Sequence, residues 1–234
     1  MPERTGPTAY AGFMVRWWGF GPFVVVSILH LVSLSAQWQA VALPTKFLLM
    51  PTLLLALLVS LPSRRSEIAL WGGLALVLAW AGDVLLADPG ELGFLVGLGS
   101  FLLAHVAYVV LYVRPLRTRR PPWWAFAFFA AWWAALIVLL LPHVGALAIP
   151  VTIYGFVLCA AAAMAMGTTP LVAVGAFLFL VSDTILGFRF FLPGFSLWQA
   201  DSVIMLGYIA GQGLIIAGAV RHARSRLAPR AELA

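Results

Sequence analysis

Two aspartates inside apolar stretches are the residues of this sequence most suited to chemistry. Asp83 occurs in WAGDVLLAD, and Asp183 occurs one hundred residues later in LVSDTILGFRFF. A charged side chain at the centre of a bilayer costs roughly 2.5–3.5 kcal/mol on insertion scales, so such residues normally face the interior of a helix bundle and serve a function. We therefore expect Asp83 and Asp183 to act together as a pair of functional carboxyl groups.

Basic residues are predicted to lie close to the level of the two aspartates. Lys46 opens the second apolar stretch, and Arg189 lies near the end of the seventh. Lys46 could pair with Asp83 and Arg189 with Asp183, which would give these residues a purely structural role. A long arginine side chain near a helix end can also extend to the membrane interface. From the sequence alone, both the structural and the functional interpretation stay open.

A second group of polar residues is predicted nearer the middle of the membrane. His105 and Tyr108 are three residues apart, and Tyr208 and Gln212 are four apart, so each pair occupies one face of a helix. Tyr154 lies within another apolar stretch. Each residue alone is more often a hydrogen-bonded packing residue than a ligand. Together they predict a polar lining inside the bundle.

Other catalytic chemistries have little support in the sequence. Cys159 is the only cysteine, and the four histidines include no close pair and no HExxH motif. Zinc held by two histidines and an aspartate is a weak alternative. Ser182 directly precedes Asp183, but no GxSxG elbow accompanies it. The sequence therefore predicts no metal, no other cofactor and no serine nucleophile.

The elements that position these residues are membrane-spanning helices. The chain has 234 residues, of which 63% are hydrophobic and 9% charged, and its mean hydropathy is +1.03. A soluble domain averages roughly 45–50% apolar and about 25% charged residues. The composition therefore predicts an all-α, polytopic membrane bundle with eight transmembrane helices. The predicted spans are residues 15–34, 45–62, 67–87, 92–113, 122–141, 147–166, 170–191 and 199–220.

The arginines predict how the bundle is oriented. They cluster before the first span and after the second, fourth and eighth spans, and the positive-inside rule places such clusters in the cytoplasm. Both termini are then cytoplasmic, with short tails at about 1–14 and 221–234 of a single integral membrane domain, residues 1–234, in a bacterial cytoplasmic membrane. This distribution argues against nucleic acid as a partner, despite the net charge of +6. The clustered residues are Arg4, Arg16, Arg64, Arg65, Arg114, Arg117, Arg119, Arg120, Arg221, Arg224, Arg226 and Arg230.

The two aspartate motifs also indicate an internal duplication. GDVLL at 82–86 aligns with SDTIL at 182–186, and at the same offset Tyr108 aligns with Tyr208. A four-helix unit repeated in tandem would have the same orientation in both copies. The sequence thus predicts a tandem four-helix repeat that places Asp83 and Asp183 in corresponding helices.

Several motifs between about residues 45 and 216 match one known family in combination. They are PTKFLLMP around Lys46, GDVLL, GLGSFLLAHVAY at 97–108, GAFLFLVSDTILGFRFF at 175–191 and LGYIAGQGLI at 206–215, together with Tyr154 and Met164. With these motifs the chain resembles the YhhN-type lysoplasmalogenase family, which is related to the eukaryotic transmembrane lysoplasmalogenases.

The resemblance implies a membrane hydrolase that cleaves the vinyl ether bond of lysoplasmalogens into a fatty aldehyde and a glycerophospho-base. This bond breaks when its β-carbon is protonated and water adds to the resulting oxocarbenium-like cation. Such a reaction needs one protonated carboxyl group and one carboxylate, a division of labour that glycosidases also use. Asp83 and Asp183 would be that catalytic pair, in an order that the sequence leaves open. The implied substrate-binding residues are Lys46 and Arg189 for the phosphate, with His105, Tyr108, Tyr154, Ser182, Tyr208 and Gln212 around the substrate or water.

The expected partners are a lysophospholipid substrate and membrane lipids. The main alternative is a lipid or small-molecule transporter, or a lipid-binding membrane protein, that uses the buried carboxylates for proton coupling. A zinc-dependent, amidase-like membrane hydrolase is a third and weaker alternative.

Overall fold

The computed structural model describes residues 17–88 and 90–226, and within them every regular element is a helix. Eight of these helical segments are long and apolar enough to cross a membrane, which confirms the all-α bundle of eight spans and makes the chain an integral membrane protein. A short 3₁₀ turn, Trp18–Phe20, precedes the first helix. The helices are α1 (Gly21–Ser35), α2 (Gln39–Ser60), α3 (Glu67–Leu85), α4 (Glu91–Val113), α5 (Trp123–Leu140), α6 (Ala148–Ala165), α7 (Pro170–Phe191) and α8 (Ala200–Ser225).

The boundaries of α2 and α8 differ from the sequence-based prediction. Helix α2 begins at Gln39 rather than at 45, because Pro44 lies inside the helix instead of ending the preceding connection. Proline is tolerated inside membrane helices where neighbouring groups satisfy the backbone carbonyls that it leaves free. Lys46 is consequently not at the start of its helix but two turns into it. Helix α8 continues to Ser225, past the predicted end at 220.

Parts of the predicted tails lie outside the described residues, among them the amino-terminal tail at 1–14 and residues 227–234. Arg4, Arg16 and Arg230 are therefore not placed. The assignment of residues 1–234 to a single domain stays a prediction.

Small residues allow the closest helix contacts in the bundle. A Cβ atom on Gly175 of α7 would lie 2.7 Å from the carbonyl oxygen of Gly211 on α8, so these two backbones touch. On α3, a Cβ on Gly82 would lie 2.5 Å from the Phe101 ring of α4. Close approach at small residues is the usual basis of helix packing in membranes, where no hydrophobic force drives helices together.

Consecutive helices that cross a membrane alternate in direction, so α3 and α7 run the same way. Asp83 lies two residues and Asp183 eight residues before the end of its helix. At this end of the bundle α3, α5 and α7 finish while α4, α6 and α8 begin, and we call it the aspartate end. The paired packing of α3 with α4 and of α7 with α8 agrees with the order expected for a tandem repeat. The repeat itself stays a prediction, since two short motifs carry it.

Candidate active site

An apolar cavity of about 180 Å³ lies in the half of the bundle near the aspartate end. Seven helices contribute to its wall, α2 to α8, and both Asp83 and Asp183 line it. The predicted meeting of the two carboxyl groups at one site is thus present in the structure. Its polar wall residues are Lys46, Asp83, Tyr154, Ser182, Asp183, Thr184 and Tyr208.

Asp83 is held by groups from two other helices. It is 4% exposed and lies two residues before the end of α3. The Tyr208 hydroxyl of α8 donates a hydrogen bond of 2.7 Å to its Oδ2, and Lys46 Nζ of α2 lies 3.8 Å from its Oδ1. The carboxylate charge of Asp83 is therefore compensated by an ammonium group inside the bundle.

Asp183 has a different environment on the same cavity. The Tyr154 hydroxyl of α6 donates a hydrogen bond to its Oδ2. Among residues 17–88 and 90–226, the ion pairs are Lys46–Asp83 and Arg189–Asp201, so Asp183 has no cationic partner there. The two carboxyl groups thus share a cavity but differ in charge compensation.

The pairing of Arg189 with Asp183, which the sequence left open as a structural alternative, is wrong. Arg189 instead donates two hydrogen bonds to Asp201 at the start of α8, from Nε at 2.9 Å and from Nη2 at 3.3 Å. Six residues along an α-helix correspond to a rotation of about 240°, which turns Arg189 away from the face of Asp183. The side chains of Arg189 and Asp201 are 48% and 62% exposed, so this pair lies on the surface of the bundle, outside the cavity wall.

Three other predicted residues lie behind the cavity wall rather than on it. Tyr108 donates its hydroxyl hydrogen to Gln212 Oε1, and both side chains are buried. His105 Nδ1 lies 2.8 Å from the Phe101 carbonyl, which can only accept, so this nitrogen carries the hydrogen. The His105 ring also packs edge-on against Tyr154 at 5.7 Å. His105 therefore packs against the tyrosine that contacts Asp183.

Ser182 has a structural bond inside the wall. Its hydroxyl donates a hydrogen bond of 2.7 Å to the Ile204 carbonyl and ties α7 to α8. The side chain is 1% exposed. Its hydroxyl hydrogen is therefore engaged with the backbone of α8, away from the carboxyl group of Asp183.

The aromatic rim of the cavity is a feature that the sequence-based analysis missed. Phe94 of α4 contacts Phe190 and Phe191 of α7 edge-on, at 5.6 and 6.0 Å between ring centroids, and all three rings line the cavity. A phenylalanine in a membrane helix looks alike in sequence whether it faces lipid or a cavity. The cluster FRFF, with aromatic residues on several faces of α7, was the available signal.

The described part of the chain contains no group of three or more histidine, cysteine, aspartate or glutamate residues that could hold a metal ion. The weak zinc alternative therefore has no ligand set among those residues. What the site does offer is two carboxyl groups in unlike surroundings on one apolar cavity, an arrangement suited to general acid and base roles.

The chain is similar to known proteins over most of its length. It matches the model of the YhhN family over residues 41–219. It is similar to the lysoplasmalogenases of Mycobacterium bovis and Mycobacterium tuberculosis, each 34% identical over 232 residues, a match that covers 93% of this chain and 87% of the relative. No solved structure matches the chain.

Proposed function

The chain belongs to the YhhN family, and on that premise we propose that it is a membrane hydrolase that cleaves the vinyl ether bond of lysoplasmalogens. Its products would be a fatty aldehyde and a glycerophospho-base. Two relatives that cover most of the chain bear the name lysoplasmalogenase. The observation that carries the proposal is the presence of Asp83 and Asp183 on one apolar cavity.

The unlike surroundings of the two carboxyl groups support separate roles. Asp183, which receives a tyrosine hydroxyl and has no cationic partner among the described residues, is the proposed proton donor. Asp83, with Lys46 Nζ 3.8 Å away, is the proposed carboxylate. An apolar environment favours a neutral carboxyl group, whereas a nearby ammonium favours an ionised one.

The reaction then balances without a nucleophilic side chain. Asp183 gives its proton to the β-carbon of the vinyl ether, and the positive charge that forms on the adjacent carbon and ether oxygen is stabilised by the Asp83 carboxylate. Asp83 accepts a proton from the water that attacks this carbon. The hemiacetal collapses to the aldehyde and the free glycerol hydroxyl, and proton transfer back to Asp183 completes the cycle.

The remaining predicted residues keep supporting roles in this proposal. Lys46 lies on the cavity wall and compensates the charge of Asp83. It is also the candidate residue for binding the substrate phosphate inside the cavity. Arg189 could meet the phosphate only at the surface, where Asp201 already binds it. Tyr154 and Tyr208 hold the two carboxyl groups through their hydroxyls.

The orientation of the protein in the membrane is part of the proposal. The arginine clusters of the α2–α3 and α4–α5 connections and of the end of α8 all lie at the end of the bundle opposite the aspartate end. The positive-inside rule then places that end in the cytoplasm of a bacterium, with both termini, and directs the cavity toward the outer half of the membrane.

The test uses the purified full chain in lipid nanodiscs. A 1-alkenyl lysophospholipid should release a fatty aldehyde detectable by mass spectrometry, whereas the saturated 1-alkyl ether should not react, because it has no double bond to protonate. Asp83→Asn and Asp183→Asn should each abolish release. Asp88→Asn is the matched control, because Asp88 lies in the α3–α4 turn and its Oδ1 accepts a hydrogen bond from Gly90 that an asparagine can also accept.

Two outcomes would refute the proposal. One is the absence of aldehyde from the wild-type protein, and the other is full activity in both active-site variants. Proton-coupled uptake of a lysolipid into vesicles without any product would support the transporter alternative instead.

A further inference from the structure

Two separate contacts join α2 and α3 near the aspartate end. One is the pair between Lys46 Nζ and Asp83 Oδ1. The other is a hydrogen bond of 3.0 Å from Trp80 Nε1 of α3 to the backbone carbonyl of Phe47 on α2. Phe47 directly follows Lys46, and Trp80 precedes Asp83 by three residues, so the same two helix turns supply both contacts.

The Phe47 carbonyl is available to Trp80 because of Pro51. In an α-helix this carbonyl would accept the N–H of residue 51, but proline has no N–H. Pro51 lies inside α2, four residues after Phe47. The indole N–H of Trp80 therefore takes the place of the missing backbone donor. Trp80 is 40% exposed, on a surface that faces lipid, where no water can replace either partner.

The hydrogen bond also fixes the relative position of the two helices. Residues three apart on a helix share a face, so Trp80 and Asp83 both point toward α2. The Trp80 bond holds α2 at the residue next to Lys46, one turn below the ion pair. Sliding or rotation of α2 would lengthen the bond to Phe47 and, with it, the 3.8 Å separation between Lys46 and Asp83.

We propose that Trp80 is a positioning residue that holds Lys46 against Asp83 through the Phe47 carbonyl freed by Pro51. Only the expected change in kcat rests on the proposed function. The hydrogen bond from Trp80 to Phe47 does not depend on it. A positioning role predicts that the need for Trp80 disappears when residue 51 can donate its own N–H.

The experiment is a double-mutant cycle on the full chain in nanodiscs, made of wild type, Trp80→Phe, Pro51→Ala and the double variant. Phenylalanine keeps an aromatic ring but loses the donor, and alanine at 51 restores a backbone N–H. Pro51 is exposed, so this substitution leaves no void in the core. Trp71→Phe is the control on the same helix, since the Trp71 indole makes no hydrogen bond to any residue of the described part of the chain.

Two quantities are measured for each of the four proteins in the cycle. The first is kcat against KM for aldehyde release. We expect Trp80→Phe to lower kcat roughly tenfold, with a smaller change in KM, because a displacement of about 1 Å at a catalytic group can cost up to about a hundredfold. The double variant should recover to within about threefold of Pro51→Ala. The second readout is the infrared band of a protonated Asp83 carboxyl group, identified by its loss in Asp83→Asn.

The infrared band is expected in Trp80→Phe at neutral pH and should be absent from wild type and from the double variant. If Trp80→Phe has an equal effect with and without Pro51→Ala on both readouts, Trp80 acts by packing alone and the inference is overturned. If the wild-type protein releases no aldehyde, the proposed function fails, and the infrared cycle still decides whether Trp80 positions Lys46.

Discussion

Removing the ammonium group of Lys46 is the most direct test of the charge arrangement in the cavity. Lys46→Met keeps the length of the apolar stem and removes only the charge. At 3.8 Å, with an effective dielectric constant of about 20, two unit charges attract each other by about 4 kcal/mol. The Lys46 and Asp83 side chains are 25% and 6% exposed, so water screens the pair little. Without Lys46, the ionised form of Asp83 loses this stabilisation.

The kinetic consequence follows from the proposed role of Asp83 as the carboxylate. A loss of about 4 kcal/mol corresponds to about a thousandfold in an equilibrium or a rate, and water that enters the cavity would reduce it. We therefore expect kcat of Lys46→Met to fall between tenfold and a thousandfold. The assay is single-turnover aldehyde release with the enzyme in saturating excess over the 1-alkenyl lysophospholipid, which separates the chemical step from substrate binding.

The matched variant is Lys46→Arg, which keeps a positive charge and should recover much of the rate. The thermal unfolding midpoint of Lys46→Met in nanodiscs shows whether the variant is folded. A folded Lys46→Met with kcat within threefold of wild type would refute the reasoning, because the compensating charge would then play no part in the reaction.

Three further predictions concern the surroundings of the site. Tyr154→Phe removes the hydroxyl that donates to Asp183 and should lower kcat roughly tenfold. The reason is that a hydrogen bond to a charged or charge-developing group contributes about 1.5–3 kcal/mol. Single-turnover kinetics with an unchanged circular dichroism spectrum would show this loss, and an unchanged kcat would contradict it. Gly211→Ala should lower the free energy of unfolding by about 1–3 kcal/mol, because the added Cβ would lie 2.8 Å from the Gly175 carbonyl oxygen and the backbone there cannot yield. Thermal unfolding measures this loss of stability, and an unchanged midpoint would count against the close backbone contact. Arg189→Gln should change stability by less than about 1 kcal/mol because its pair with Asp201 is exposed, and a larger loss in unfolding experiments would show that the pair is more than a surface contact.

The sequence predicted the spans and the aspartate pair because both depend on simple quantities. Long apolar runs have no stable alternative to a membrane helix, and the depth of a residue in a span follows from counting 1.5 Å per residue. Lys46 and Asp83 could be paired for the same reason, since both fall near the same end of adjacent spans. The structure has this pair at 3.8 Å.

The errors arose where tertiary contacts override local signals. Pro44 predicted a helix boundary, yet α2 runs through Pro44 and Pro51, and a tryptophan from α3 satisfies the carbonyl that the second proline leaves free. The structural alternative paired Arg189 with Asp183, the nearer aspartate in sequence, although the rotation of the helix turns Arg189 toward Asp201. A sequence without its partner helices carries no information on which face of α7 meets which neighbour.

The contact between Gly175 and Gly211 has a consequence for how a lipid can exchange with the cavity. Because the α7 and α8 backbones touch, the two helices cannot separate without losing their tightest packing, and Gly82 against Phe101 restrains α3 and α4 in the same way. Between the α5–α6 hairpin and α7, the closest glycine approach among the described residues is a Cβ on Gly187 at 3.4 Å from Leu140, an ordinary contact. In the same part of the chain, two side-chain hydrogen bonds link the hairpin to α7, from Trp132 to Thr184 and from Tyr154 to Asp183. A movement that opened the bundle between the hairpin and α7 would break these two hydrogen bonds. It would also withdraw the Tyr154 hydroxyl from Asp183, the proposed proton donor, until the hairpin returned.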